Sequence, residues 1–174
     1  MPPIKVKDMT SQPRTITPAK IYGDAGLLYI RYHATIETKP NGQKKVGGPR
    51  PAFSKITKQI EYQHDAGKYY SLLMGREFQP GRWAILLDFD NKVEGDSRNG
   101  LELITKLNMN QYEAPCQTTP SGGYHYIFYV DAQQKDQTTS KTTITHEGVK
   151  CNMDVKFKNS LCNCAPTKIE GYGA

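Results

Sequence analysis

The chain has 174 residues, about the length of one domain, and 23 Lys and Arg against 17 Asp and Glu give it a net charge of +6 and a pI near 9.1. Its longest apolar runs, Ala84 to Leu87 and Ile127 to Val130, are too short for a transmembrane helix, and no apolar stretch follows Lys5 and Lys7 to make a secretory signal. Glycine without a period, no lasting heptad and 17 aromatic residues exclude collagen, coiled coil and wholesale disorder.

Residues 1–20 carry Pro2, Pro3, Pro13 and Pro18 and read as an extended N-terminal arm, leaving residues 21–174 as one domain. Leu27 to Thr38 is rich in β-branched and aromatic residues and predicts a strand, with room for a bend. Lys39 to Pro51 is a basic loop with turn signals at Pro40-Asn41-Gly42 and Gly47-Gly48-Pro49. Its Lys39, Lys44, Lys45 and Arg50 fit a phosphate-backbone contact or a solvated loop equally well. Ser54 predicts a helix cap, with the helix running to Gln63. Strands are expected at Tyr69 to Gly75 and Arg82 to Asp90. Asn99 is expected to cap a second helix through Lys106, with Leu101, Ile104 and Leu107 facing inward. Ala114 to Thr119 is extended, and Tyr124 to Val130 is a strong strand. Ala132 to Gly148 is polar and reads as an exposed, mobile excursion. Met153 to Phe157 and Ser160 to Ala165 are the last strands. Strands with two interspersed helices predict an α+β domain, one mainly antiparallel sheet with helices against it.

Without a signal peptide, Cys116, Cys151, Cys162 and Cys164 are expected to be free thiols, packed as small hydrophobes. A zinc site from Cys151, Cys162, Cys164 and either His146 or Cys116 is the competing reading, and the tight Cys-x-Cys spacing argues against it. The positive charge favours an anionic partner, though a merely soluble surface gives the same balance.

Three segments carry chemistry. In Leu86-Leu87-Asp88-Phe89-Asp90, strand alternation puts Asp88 and Asp90 on one face. Two carboxylates so close repel unless a cation lies between them, and carboxylates suit hard ions such as Mg²⁺ or Mn²⁺; the bland alternative is a solvated strand end. Thr119-Pro120-Ser121-Gly122-Gly123-Tyr124-His125 joins a glycine turn, where backbone N–H groups can approach an anion, to a strand bearing His125. Ser121 and His125 together could grip a phosphate, or the segment is an ordinary hairpin. In Met153-Asp154-Val155-Lys156, Asp154 and Lys156 share a face, as a third metal ligand beside a phosphate contact or as a surface ion pair.

The three segments together resemble the motifs of the archaeo-eukaryotic primase superfamily, and most closely its bifunctional primase–polymerase (prim-pol) domain, found in plasmids, phages and viral helicase–primases. Ile85 to Asp90 is similar to the first motif and Thr119 to His125 to the second. Met153 to Lys156 is similar to the third, and Ala165-Pro166-Thr167 with Gly171-Tyr172 to the downstream turn. The resemblance runs from Tyr69 to Tyr172. It implies an RRM-like core with helices on one face and the acids on the other, and two-metal, template-directed nucleotidyl transfer from dNTPs or NTPs. Asp88, Asp90 and Asp154 then correspond to ligands of two Mg²⁺ or Mn²⁺ ions. Ser121, Gly122, His125 and Lys156 correspond to triphosphate contacts, while Arg76 and Arg82 are candidate nucleotide or template contacts. The implied partners are a single-stranded DNA template and primer and a helicase domain or protein, in a cytoplasmic or host-cell intracellular setting. The chain ends twenty residues after Asp154, so an excised domain of a longer polypeptide is expected.

Two other classes compete. A non-catalytic RRM-like single-stranded nucleic-acid-binding module would use Gly123 to Tyr129 as a stacking strand, but three carboxylates would repel its ligand. A metal-dependent nuclease could use the same acids. A nick-forming initiator needs a His-hydrophobic-His pair, which His125-Tyr126-Ile127 does not supply.

Overall fold

The segment with the clearest strand pattern, RWAILLDF, forms the centre of the main sheet. The computed structural model describes residues 22–32, 36–38, 40, 42, 44–46, 69–119, 121–158 and 160–164. In chain order these include β1 (Tyr29–Tyr32), β2 (Ile36–Thr38), β3 (Lys44–Val46), β4 (Tyr69–Met74), β5 (Glu77–Gln79) and β6 (Arg82–Phe89). Helix α1 (Gly100–Lys106), β7 (Cys116–Thr118), β8 (Tyr124–Asp131) and the one-turn helix α2 (Ala132–Lys135) follow. The chain then forms β9 (Ile144–His146), β10 (Val149–Cys151), β11 (Met153–Lys156) and β12 (Ser160–Cys164). Every strand pair among them is antiparallel, and the described residues form an α+β arrangement with few helices. No helix among the described residues is long and apolar enough to cross a membrane.

The single sheet expected from the sequence is divided. The main sheet has the order β11-β6-β8-β7, with β5 sharing one edge of β6 with β11. A second sheet has the order β1-β4-β12. The division arises at Gly75, which turns the chain from β4 into β5. Its φ is +71°, and a Cβ there would lie 2.9 Å from the Phe157 carbonyl oxygen, so only glycine fits the corner. Beyond it, the Gly75 and Ala84 amides donate to the Ala84 and Arg76 carbonyls and stitch the corner to β6.

Alternation along β6 builds two cores on opposite faces. Ala84 and Leu86 pack with Leu72, Met74, Tyr29, Cys162 and Cys164 of the second sheet. Phe89 and Leu87 pack on the other face with Leu103, Met109, Tyr126, Cys151 and Met153. This distribution removes the zinc reading: Cys151 lies in one core, Cys162 and Cys164 in the other, and the main sheet separates them. All four cysteines are free thiols, and Cys116, against expectation, is exposed.

Asn99 caps α1 as predicted, its side chain accepting from the Leu101 amide at 2.9 Å. The buried face differs. Gly100 and Leu103 are buried and Ile104 packs beside them, whereas Leu107 is exposed. The helix stops at Lys106, so the helical spacing that would turn Leu107 inward does not continue. The polar excursion is also more ordered than its composition suggests. Asp131 and Gln134 form a capping box on α2, β9 and β10 make a hairpin, and Lys141 pairs with Val155 of β11 through 3.0 and 2.7 Å backbone bonds. The predicted strand from Leu27 to Thr38 contains β1 and β2, and Lys44 and Lys45 of the basic loop lie in β3, paired with β2. The arm over 1–20, the helix from Ser54, Lys39, Arg50 and the turn after Ala165 lie outside the described residues.

Candidate active site

Toward the end of β6, on the face that packs against the second sheet, four strands bring polar side chains into one row. Asp154 on β11 pairs with Asp88 on β6, Asp88 with His125 on β8, and His125 with Gln117 on β7. All four lie on the face that also carries Leu86. Like charges directly opposite on neighbouring strands destabilise a sheet. Here Lys156, two residues along the same face, answers them: its ammonium bonds Asp154 and lies 3.9 Å from Asp88 Oδ2. Burial opposes the charge on Lys156, but Asp154 and Asp88 outweigh it and raise its pKa above the ordinary lysine value.

Asp90 follows one step beyond the strand. Its amide donates to the Asn152 carbonyl at 2.9 Å, and its carbonyl accepts from the Gly100 amide at 3.0 Å. Asn152 is itself buried and bonds Ser97 Oγ at 2.7 Å and the Lys92 carbonyl at 2.9 Å. A Cβ on Gly100 would fall 2.1 Å from the Asn152 carbonyl oxygen, so glycine lets the start of α1 close on this strand end. The Asp90 carboxylate meets Lys92 at 3.1 Å. Burial, then the charges of Asp88 and Asp154, still hold its pKa above the usual carboxylate range.

The glycine turn lies against the same end. A Cβ on Gly123 would approach the Phe89 carbonyl oxygen to 2.3 Å, and Gly122 has φ +82°. Thr119 Oγ1 accepts from the Gly123 amide at 2.9 Å and lies 3.1 Å from Ser121 Oγ, which is exposed at the tip. His125 Nε2 is 3.2 Å from Asp88 Oδ1. On the opposite flank, the Thr143 amide donates to Asp154 Oδ1 at 3.0 Å from a backbone with φ +59°, unusual for a β-branched residue.

Thus Asp88, Asp154, His125 and Lys156 come together, with Asp90, Ser121 and Gly122 beside them. The Arg76 backbone lies apart from them: its carbonyl bonds the Ala84 amide, four residues from Asp88, roughly 13 Å along the strand. Arg82 is further still, its guanidinium stacked 4.5 Å over the Tyr129 ring. Sequence reasoning missed Gln117, Asn152, Gly100 and Thr143. Only Gln117 had a local signal, because a hairpin turning through Thr119–Gly123 sets Thr118 against Tyr124 and Gln117 against His125.

Comparison with protein-family models, with curated proteins and with solved structures returned no match. The donor set therefore stands on its own chemistry. Asp88, Asp90 and Asp154 supply only oxygen donors, the type that hard divalent cations take, and burial first, then the charges of Asp88 and Asp154, raises the pKa of Asp90. As placed, the charge is met by Lys156 and Lys92, and no three His, Cys, Asp or Glu side chains among the described residues converge closely enough to enclose an ion.

Proposed function

We propose that the chain is the catalytic core of a primase–polymerase of the archaeo-eukaryotic primase superfamily, with an RRM-like main sheet, extending or synthesising primers on single-stranded DNA from dNTPs or NTPs. The observation that carries this reading is the cross-strand row of Asp154, Asp88 and His125, with Lys156 on the same face. Segments remote in sequence thereby supply acids and phosphate donors to one strand end. A module that only bound nucleic acid would gain nothing from carboxylates aimed at an anionic ligand.

In this reading Asp88, Asp90 and Asp154 hold Mg²⁺ or Mn²⁺. Such ions would neutralise the reacting phosphates and favour ionisation of the primer 3′-hydroxyl. Lys156 then exchanges its carboxylate partners for a phosphate oxygen. The Ser121 hydroxyl and the His125 Nε2–H are donors for the remaining triphosphate oxygens, whereas the Gly122 amide, the other expected contact, is already given to the Thr119 carbonyl at 2.9 Å. Phosphoryl transfer needs chiefly alignment and charge neutralisation, and this set of groups supplies both. A helicase domain or protein is the corresponding partner, and a cytoplasmic or host-cell setting follows from the activity.

The test is extension of a primed single-stranded template with Mg²⁺ or Mn²⁺. The wild type is expected to extend, and Asp88→Ala/Asp90→Ala to abolish extension. Failure of the wild type both to extend and to bind any nucleoside triphosphate would overturn the catalytic reading in favour of a nucleic-acid-binding module.

A further inference from the structure

We propose that Gln117 is a positioning residue that fixes the tautomer of His125, and that it does so from a carbonyl of the second sheet. Gln117 Nε2 lies 2.8 Å from His125 Nδ1 and 3.1 Å from the main-chain oxygen of Asn163 on β12. A carbonyl oxygen only accepts, so the amide atom facing it is the nitrogen. That nitrogen gives one N–H to Asn163 and the other to the imidazole. Nδ1 is then the acceptor, and the ring proton resides on Nε2, 3.2 Å from Asp88 Oδ1. The opposite tautomer would set an Nδ1–H against an amide N–H. His125 is buried, 9% exposed, so solvent does little to choose between the forms.

Asn163 is held in turn. Its strand pairs with β4, and its side-chain oxygen accepts from Ser71 Oγ at 2.7 Å, Ser71 being fully buried. A chain of bonds Ser71–Asn163–Gln117–His125–Asp88 therefore ties the second sheet to the carboxylate row. Its functional consequence rests on the reading above: an N–H at Nε2, not a lone pair, faces the place an anionic ligand would take.

The experiment is a long-range ¹H–¹⁵N correlation of the histidine rings in the full chain, with His125 assigned by its loss in His125→Gln. The wild type is expected to show an acceptor-type Nδ1 and a protonated Nε2. Gln117→Met keeps the length of the side chain and removes the amide. It is expected to give mixed tautomers and to weaken binding of magnesium dATP about tenfold, the worth of one hydrogen bond. Gln117→Glu, whose carboxylate accepts from Nδ1–H, is expected to move the proton to Nδ1. An Nδ1-protonated ring in the wild type, or an unchanged spectrum in Gln117→Met, would overturn the proposal. Should Gln117→Met fail to fold, the wild-type spectrum alone decides. If the tautomers shift as expected while the wild type binds no dATP, the positioning role stands and the nucleotide reading falls.

Discussion

The surroundings of Asp90 oppose its charge. Burial and the neighbouring charges of Asp88 and Asp154 raise its pKa, and the Lys92 ion pair only partly compensates. For a carboxyl raised on folding, the favourable contribution is present below the unfolded-state pKa and disappears as pH rises through the folded one. Asp90→Asn is therefore expected to melt higher than the wild type at neutral pH. The gap should close as the pH falls below the carboxylate range, and primer extension should be lost throughout. Thermal unfolding across a pH series checks the sign. A stabilising change that removes activity is the mark of a group kept for chemistry. Much of this scale was legible in the sequence, because Asp88, Asp90 and His125 follow from the two-residue period of single strands. Gln117, Asn152 and Thr143 act through partners 46, 55 and 11 residues away, Asn163, Ser97 and Asp154. No local pattern announces these partners, although the hairpin does set Gln117 against His125.

At the scale of elements, two glycines at the site and a third at the corner between the sheets allow close backbone approach. At Gly123 and Gly100 a Cβ would meet main-chain oxygens at 2.3 and 2.1 Å, so the β7–β8 turn or the start of α1 would have to move away from β6. Gly123→Ala is expected to cost about 2–3 kcal/mol, in the range of overpacked sites, and to weaken dATP binding as the turn shifts. Gly75→Ala combines a left-handed φ with a backbone clash and is expected to cost about 2 kcal/mol while leaving the carboxylate row in register. Urea unfolding of both variants beside dATP titration separates the two effects. The sequence predicted the long strands well, since eight alternating residues such as Arg82–Phe89 leave little ambiguity. It missed β5 and the β9–β10 hairpin. Three-residue strands are set by what they pair with, and the single polar-apolar-polar alternation of Glu77–Gln79 is too short to establish a period.

For the molecule as a whole, the two cores on either side of the main sheet make thiol chemistry a simple report of folding. Cys151, Cys162 and Cys164 are buried, and Cys116 is exposed. Burial raises the Cys162 thiol well above its ordinary value. It also pushes Cys164 up to about 11, against the pull of a Tyr22 hydrogen bond. One thiol per chain is expected to react quickly with a disulfide reagent in native buffer, all four in denaturant, and Cys116→Ser is expected to abolish the fast phase. The sequence reading foresaw packed cysteines, but it could not assign them to opposite faces. That assignment needs the β6–β11 and β4–β12 registers, which join residues more than sixty positions apart.

The Thr143 amide bonds Asp154 Oδ1 although Thr143 itself is exposed. The chain thus carries its own gauge at the third carboxylate. Anything that takes that oxygen must compete with a single main-chain proton, whose resonance and solvent exchange can be followed without a label on the side chain. Titration with Mg²⁺, Mn²⁺ or a triphosphate is expected to move this one amide early. Tracking it would time the arrival of each ligand at Asp154 separately from events at Asp88.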